Sequence, residues 1–157
     1  MSHEKIKNLF LKAVSSVASD ISRYAIHPEK DFSRNKKLPP DKLISFMVSC
    51  GSSSTKIELL DFFGLDPDAP SSSAFNQQRA KLRSEALEAV FQQFNDSLQS
   101  LEKTSDYRFF AADGSTFTFF SKPSFASEEY HVCEGHSAKG FYSMHLNAFY
   151  DLQKHTY

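Results

Sequence analysis

Residues 107–120 read YRFFAADGSTFTFF, and in this stretch the pattern of the chain changes from helical to extended. Its two aromatic runs, 107–112 and 116–120, are short and rich in residues that favour β-strands. A third run, residues 141–150, alternates between two sets of side chains, as a strand with two different faces does. The sequence therefore predicts three strands, and Asp113-Gly114 between the first two has the pattern of a tight hairpin turn.

The residues before this stretch predict helices. Apolar side chains at i, i+3, i+4 and i+7 spacing run through residues 6–24, which indicates an amphipathic helix that ends near His27-Pro28. Four further helices are expected at residues 41–50, 55–63, 73–82 and 84–98. The predicted fold class is therefore α+β, with a helical region at residues 1–103 and a strand region at residues 104–157. A sheet of only three strands is expected to leave one edge open and one face uncovered.

The composition is that of a folded protein. Of its 157 residues 40% are hydrophobic and 24% are charged, which excludes a disordered chain. No apolar run reaches the roughly 18 residues of a membrane-spanning helix, and the first helix carries charges that a signal peptide lacks. The two cysteines, Cys50 and Cys133, lie far apart, which argues against a disulfide scaffold or a closed zinc site.

Basic residues are concentrated near the N-terminus although the net charge is only -1. Residues 1–42 contain nine Lys or Arg and five Asp or Glu, a local excess of positive charge. This excess fits either a surface that contacts phosphates or a solvated face. The cluster within it comprises Arg34, Lys36, Lys37 and Lys42.

The predicted helix at residues 73–82 is rich in side chains that reach base edges and phosphates. With the helices at 41–50 and 55–63 it forms a series of short helices joined by turns, as in helix-turn-helix proteins. A DNA-contacting helix and a plain solvated helix face are both compatible with this pattern. The side chains concerned are Asn76, Gln77, Gln78, Arg79 and Lys81.

Several other positions carry chemically useful side chains, each with a structural alternative. Asp113 is either a turn residue or a rigidly held carboxylate that binds Mg²⁺. Asp151 either terminates the third strand or takes part in catalysis, and Cys50 is expected to be a small buried residue. A candidate transition-metal set, for which the alternative is a polar loop, comprises His131, Cys133, Glu134 and His136.

Blocks of sequence follow one another between residues 33 and 157 in a recognisable order. The block at residues 73–82 is similar to an SAF.Q.R.KL element, and residues 112–115 contain a DGS motif. Together the blocks resemble the N-terminal region of DDE-type transposases from bacterial insertion sequences. They are RNKKLP at 34–39, LISFM at 43–47, ELLDFF at 58–63, SAFNQQRAKL at 73–82, ADGS at 112–115 and HLNAFYDL at 145–152.

The resemblance implies a helical DNA-binding segment that leads into an RNase H-like catalytic core. Asp113, the aspartate of the DGS motif, would be the first of three carboxylates that hold two divalent metal ions, Mg²⁺ or Mn²⁺. In the family these metals promote cut-and-paste transposition, in which water nicks the DNA and the freed 3′-hydroxyl then joins strands. Asp151 matches a family position that is not catalytic.

In the family the second aspartate and the glutamate lie well beyond the position of residue 157. We therefore expect this chain to be the N-terminal part of such a protein, to bind no catalytic metal pair and to transfer no DNA strand. The expected partners are the double-stranded DNA of terminal inverted repeats and, in the full-length family, a second copy of the protein, with no membrane. The expected location is the cytoplasm, on the nucleoid when DNA is bound.

Two other functions fit the same sequence. The helices at 41–82 could belong to a non-enzymatic helix-turn-helix regulator, in which the strands serve for dimerisation or sensing. Alternatively, the aromatic strands between Tyr107 and Phe120 could pair with the sheet edge of another protein.

Overall fold

The computed structural model describes residues 2–34, 37–100, 107–119, 128–133 and 140–153. The α+β class predicted from the sequence is confirmed, and contacts divide the chain into two units, Met1–Leu101 and Glu102–Tyr157. The predicted boundary between residues 103 and 104 lies outside the described residues. The helices are α1 (His3–Ser19), α2 (Ile21–Tyr24), α3 (Pro40–Ser49), α4 (Thr55–Phe62), α5 (Ser72–Arg79) and α6 (Glu85–Gln99). The strands are β1 (Phe110–Phe119), β2 (His131–Val132) and β3 (Phe141–Asp151), with a 3₁₀ turn at Glu128–Tyr130.

The first core of the helical unit lies between α1, α3 and α6. Ala13, Val14 and Val17 form the buried stripe of α1, which confirms the amphipathic pattern of that helix. They pack with one residue of α3 and two of α6, and Phe10 meets Phe94 edge to face at 6.0 Å between ring centroids. The long helices α1 and α6 thereby form a frame, and α3 helps to bury its apolar surface.

The second core joins the three short helices α3, α4 and α5. Its buried members are Leu38, Leu43, Phe46, Leu59 and Phe75. The Phe46 ring lies at the centre, 5.4 Å from that of Phe62 and 4.9 Å from that of Phe75, both edge to face. We call this cluster the short-helix core.

The helices differ from the prediction at two ends. The first helical stretch is divided at Asp20 into α1 and α2, and α5 ends at Arg79 instead of continuing to Leu82. Leu82 is extended because it forms an antiparallel bridge with Ala25, flanked by the bonds Ile26 N–H to Lys81 O and Arg83 N–H to Tyr24 O, both 2.9 Å. The connection from α4 to α5, residues 63–71, exceeds the roughly three or four residues of a helix-turn-helix.

The three strands form an antiparallel sheet in the order β1-β3-β2. The predicted hairpin at Asp113-Gly114 is wrong, because β1 runs without interruption through both residues, opposite Ala148 and Asn147 of β3. The local turn signal is overridden by pairing along the whole length of β1. The absence of a side chain at Gly114 instead allows the His145 ring to lie close to the strand, because a Cβ there would come within 2.7 Å of the His145 Nε2 atom.

The two faces of the sheet differ in polarity. Residues opposite each other in antiparallel strands share a face, so Gly114, Thr116, His145 and Asn147 lie together on a polar face. The other face holds Asp113 and, further along the strands, Leu146, Phe117 and Met144. Phe117 is 47% exposed on this face and Phe149 is 64% exposed on the other, so the described part of the sheet leaves both faces uncovered, whereas one uncovered face was expected.

None of the helices in the described part of the chain combines the length and apolarity that crossing a membrane requires.

Candidate functional site

Helix α5 presents a polar face to solvent and an apolar face to the core. Ser71 caps its N-terminus by accepting a hydrogen bond from the Ala74 N–H at 3.2 Å, and Phe75 anchors the helix in the short-helix core. On the side of the helix that faces solvent, the side chains of Asn76 and Gln77 are exposed. Two neighbouring amide side chains on a helix held from behind form a surface that can donate and accept hydrogen bonds at base edges.

Gln78 is placed differently from its predicted companions. It is buried on the inner side of α5, where it lines two cavities between that helix and the chain that precedes α3. Its side chain therefore belongs to the internal support of α5, whereas Asn76 and Gln77 belong to its exposed face.

Arg79 is exposed at the end of α5, where its guanidinium group lies against the Phe75 ring. Its guanidinium carbon lies 5.5 Å from the centroid of the Phe75 ring, which favours one orientation of the cation. Arg79 also lines a small cavity with Cys50 and Glu58.

The prediction that Cys50 is buried is wrong, because it follows the last turn of α3 and is exposed. Partial desolvation, and then the negative charge of Glu58, raise the pKa of its thiol.

The structure brings together two basic segments that lie far apart in the sequence. Arg34, from the loop after α2, and Lys81, just beyond α5, line one cavity of about 560 Å³. Lys30 lines it as well, although the sequence analysis missed this residue because it precedes the basic cluster. We call this space the basic cavity. Its complete lining is His27, Glu29, Lys30, Asp31, Phe32, Ser33, Arg34, Gln78 and Lys81.

The loop that carries Lys30 and Arg34 is internally braced. Asp31 is only 8% exposed, and its Oδ2 accepts a hydrogen bond from the backbone N–H of His27 at 3.0 Å. The Asp31 N–H in turn donates to the His27 carbonyl at 2.8 Å, which closes one helical turn. Phe32 then has a left-handed backbone, with φ of 59°, while its ring packs against the short-helix core.

Lys37 is exposed, but its charge is already paired. Its Nζ lies 2.8 Å from Oδ1 of Asp68, and this hydrogen bond lowers the pKa of the Asp68 carboxyl below its usual value. The pair ties the basic segment to the loop between α4 and α5. The neighbouring predicted contact, Lys36, lies outside the described residues.

Asp113 lies in the middle of edge strand β1, with an exposed carboxylate. Its Oδ1 accepts a hydrogen bond from the Gly114 N–H at 2.8 Å, and the residue opposite is Ala148. Within the described residues, no group of three His, Cys, Asp or Glu side chains is placed to hold a metal ion. One carboxylate does not provide the donor set of a two-metal centre, so we derive no metal-dependent step from these residues.

Asp151 is engaged in a structural ion pair. Its buried carboxylate accepts hydrogen bonds from Arg108 Nη2 at 2.7 Å and Nε at 3.0 Å, and from the Gln153 N–H at 3.0 Å. Arg108 also lies over the Phe110 ring, 4.8 Å from its centroid. No local signal in the sequence could reveal this pair, because its partners are 43 positions apart.

Only part of the predicted transition-metal set is described. Cys133 Sγ lies 3.7 Å from His131 Nδ1, which is a weak sulfur hydrogen bond. The His131 ring also stands against Tyr142, with 4.9 Å between the ring centroids. Glu134 and His136 lie outside the described residues.

No protein-family model matches the chain, and comparisons with curated proteins and with solved structures give no significant match either.

Proposed function

We propose that this chain is part of a DNA transposase whose helical unit binds double-stranded DNA. The proposal rests on the ordered blocks that resemble insertion-sequence transposases and on one feature of the helical unit. That feature is the exposed amide pair Asn76 and Gln77 on α5, followed by the cations Arg79 at the end of the helix and Lys81 just beyond it. Amides close to cations suit simultaneous contact with base edges and phosphates.

The chemistry of the proposed contact follows from the side chains. Asn and Gln can each form two hydrogen bonds with adenine in the major groove, and Arg forms two with guanine or one or more with phosphate. Because Phe75 is fixed in the short-helix core, α5 can present this face without a large loss of conformational freedom.

We also propose that the sheet forms the first strands of an RNase H-like core and that Asp113 is one ligand of its divalent metal, Mg²⁺ or Mn²⁺. An exposed carboxylate in a paired strand supports this role, since Mg²⁺ prefers carboxylate oxygens. A two-metal centre would need further carboxylates besides Asp113. We therefore propose strand cleavage only for a protein that carries all the carboxylates of a two-metal centre. DNA binding can be tested directly on this chain.

The test begins with selection of a preferred duplex from a random double-stranded library. The variant Asn76→Ala/Gln77→Ala should then bind that duplex about 10- to 100-fold more weakly, as lost base contacts predict, and bind a random duplex almost unchanged. Gln92→Ala, which removes an exposed amide from α6, is the matched control and should change neither affinity. Binding can be measured by fluorescence anisotropy.

Two results would change the proposal. Absence of duplex binding even at low salt would contradict it. An equal loss of affinity for the selected and the random duplex would show that the amide pair does not contact bases. Mg²⁺-dependent nicking of the selected duplex would overturn the expectation that this chain transfers no DNA strand.

A second prediction concerns the charge of Lys37. Asp68→Asn removes the carboxylate that pairs with Lys37, so a cation near the proposed interface becomes available to phosphate. We expect the affinity for duplex DNA to increase about two- to tenfold at low salt, with a smaller gain at high salt because of screening. Asp61→Asn removes the same charge from α4 and is the control. An equal effect of both variants would indicate a general change of net charge and no role for Lys37.

A further inference from the structure

We propose that the basic cavity binds one phosphate group of a nucleic-acid backbone. The inference rests on the DNA binding proposed above and names the chemical group that this cavity takes. At about 30 Å³ per water molecule, a cavity of about 560 Å³ holds a phosphate together with part of its hydration shell.

The charges around the cavity favour an anion. Three cationic side chains, Lys30, Arg34 and Lys81, line it from two segments of the chain. Of the two carboxylates, that of Asp31 is buried and accepts a hydrogen bond from the backbone of its own loop, which leaves Glu29 as the exposed negative group. The guanidinium of Arg34 can form two parallel hydrogen bonds with phosphate oxygens, a geometry that Lys cannot offer.

The backbone of the loop positions the two cations that it carries, Lys30 and Arg34. Phe32 adopts a left-handed conformation directly after the helical turn that Asp31 and His27 close. The Asp31 N–H already donates to the His27 carbonyl, so the proposed phosphate contact is assigned to the cationic side chains. Packing of the Phe32 ring against the short-helix core holds the loop in this conformation.

The cavity is also placed where a phosphate contact would orient α5. Gln78 forms part of its wall from the inner side of the helix, and Lys81 stands two residues beyond the last residue of α5. A phosphate held there would therefore fix the position of the helix relative to the backbone of the duplex, and its exposed amides would then meet the same base pairs each time.

The salt dependence of duplex binding tests the proposal. Each lost phosphate contact lowers the slope of log affinity against log salt by about 0.9, so Arg34→Ala/Lys81→Ala, which empties a site for one phosphate, should reduce the slope by about 1. The charge-matched control is Lys12→Ala/Lys56→Ala, which removes two exposed cations from α1 and α4 and should leave the slope almost unchanged. Circular dichroism of each variant verifies that the helices are intact.

A titration with inorganic phosphate, followed by NMR of the backbone amides at residues 27–34, separates the possible sources of the ligand. Saturable shifts that disappear in Arg34→Ala/Lys81→Ala, together with the reduced salt slope, support a nucleic-acid phosphate. Duplex binding with an unchanged slope in that variant overturns the cavity proposal and leaves DNA binding intact. Absence of duplex binding contradicts the proposed function and with it this assignment, and saturable shifts would then reveal a site for free phosphate.

Discussion

Replacement of Phe46 by alanine is expected to lower the free energy of unfolding by about 3–5 kcal/mol, which is the usual cost of removing a fully buried phenylalanine. Phe46 is 1% exposed and joins all three short helices through its contacts with Phe62 and Phe75. These two edge-to-face contacts add about 0.5–1.5 kcal/mol each to the value of simple burial. Removal of the ring would leave a cavity that α3, α4 and α5 can close only by moving closer together.

The measurement is urea denaturation of the whole chain, followed by circular dichroism at the helical band. Phe91→Ala is the matched control, because Phe91 lies on α6 and is 51% exposed, so its loss should cost less than about 1 kcal/mol. Similar losses for the two variants would mean that the short helices do not form a common core. A large loss for Phe46→Ala should also weaken duplex binding, since Phe75 supports the exposed face of α5.

The second large effect is expected at the ion pair in the sheet. Arg108→Ala leaves the buried Asp151 carboxylate without its two guanidinium hydrogen bonds, a loss that costs about 3–5 kcal/mol when both partners are buried. Because the Arg108 side chain is 48% exposed, we expect the lower range of about 1–3 kcal/mol. The destabilisation should appear at the end of β3, where the Leu152 N–H donates to the Phe109 carbonyl at 2.9 Å.

A double-mutant cycle isolates this interaction. Amide hydrogen exchange at Leu152 is compared in Arg108→Ala, Asp151→Asn and the double variant. Asn at position 151 keeps the shape of the side chain and removes its charge, so loss of Arg108 should accelerate exchange less in that background. Strictly additive effects would show that Arg108 stabilises the strand through the Phe110 ring and not through the carboxylate.

The helical part of the fold was predictable where short-range periodicity decides the structure. The buried stripe Ala13, Val14 and Val17 follows directly from the spacing of apolar residues along α1. The pattern could not locate the end of α5, because Leu82 leaves the helix to pair with Ala25, a partner 57 positions away. Pairing at such a distance leaves no periodic signal in the local sequence.

The sheet shows the same limit more clearly. Asp113-Gly114 carries a strong local turn signal, and only the paired residues of β3 reveal that both belong to one strand. For the candidate site, the sequence identified two separate features, the polar set of the helix at 73–82, which includes Lys81, and the basic cluster that includes Arg34. It could not predict the burial of Gln78 or the basic cavity, since both depend on the path of the loop after α2.

The bridge between Ala25 and Leu82 also determines the topology of the helical unit. The chain leaves the frame at Ala25, just after α2, forms the short helices α3, α4 and α5, and returns at Leu82 beside the point where it left. In effect α3–α5 are an insertion whose two ends lie side by side, about 5 Å apart as in any antiparallel pair. Such an insertion can vary in length and sequence, apart from frame contacts such as that of Ile44, while the spacing between its ends stays constant. The proposed recognition surface could therefore diverge between related proteins without a change in the path of the surrounding frame.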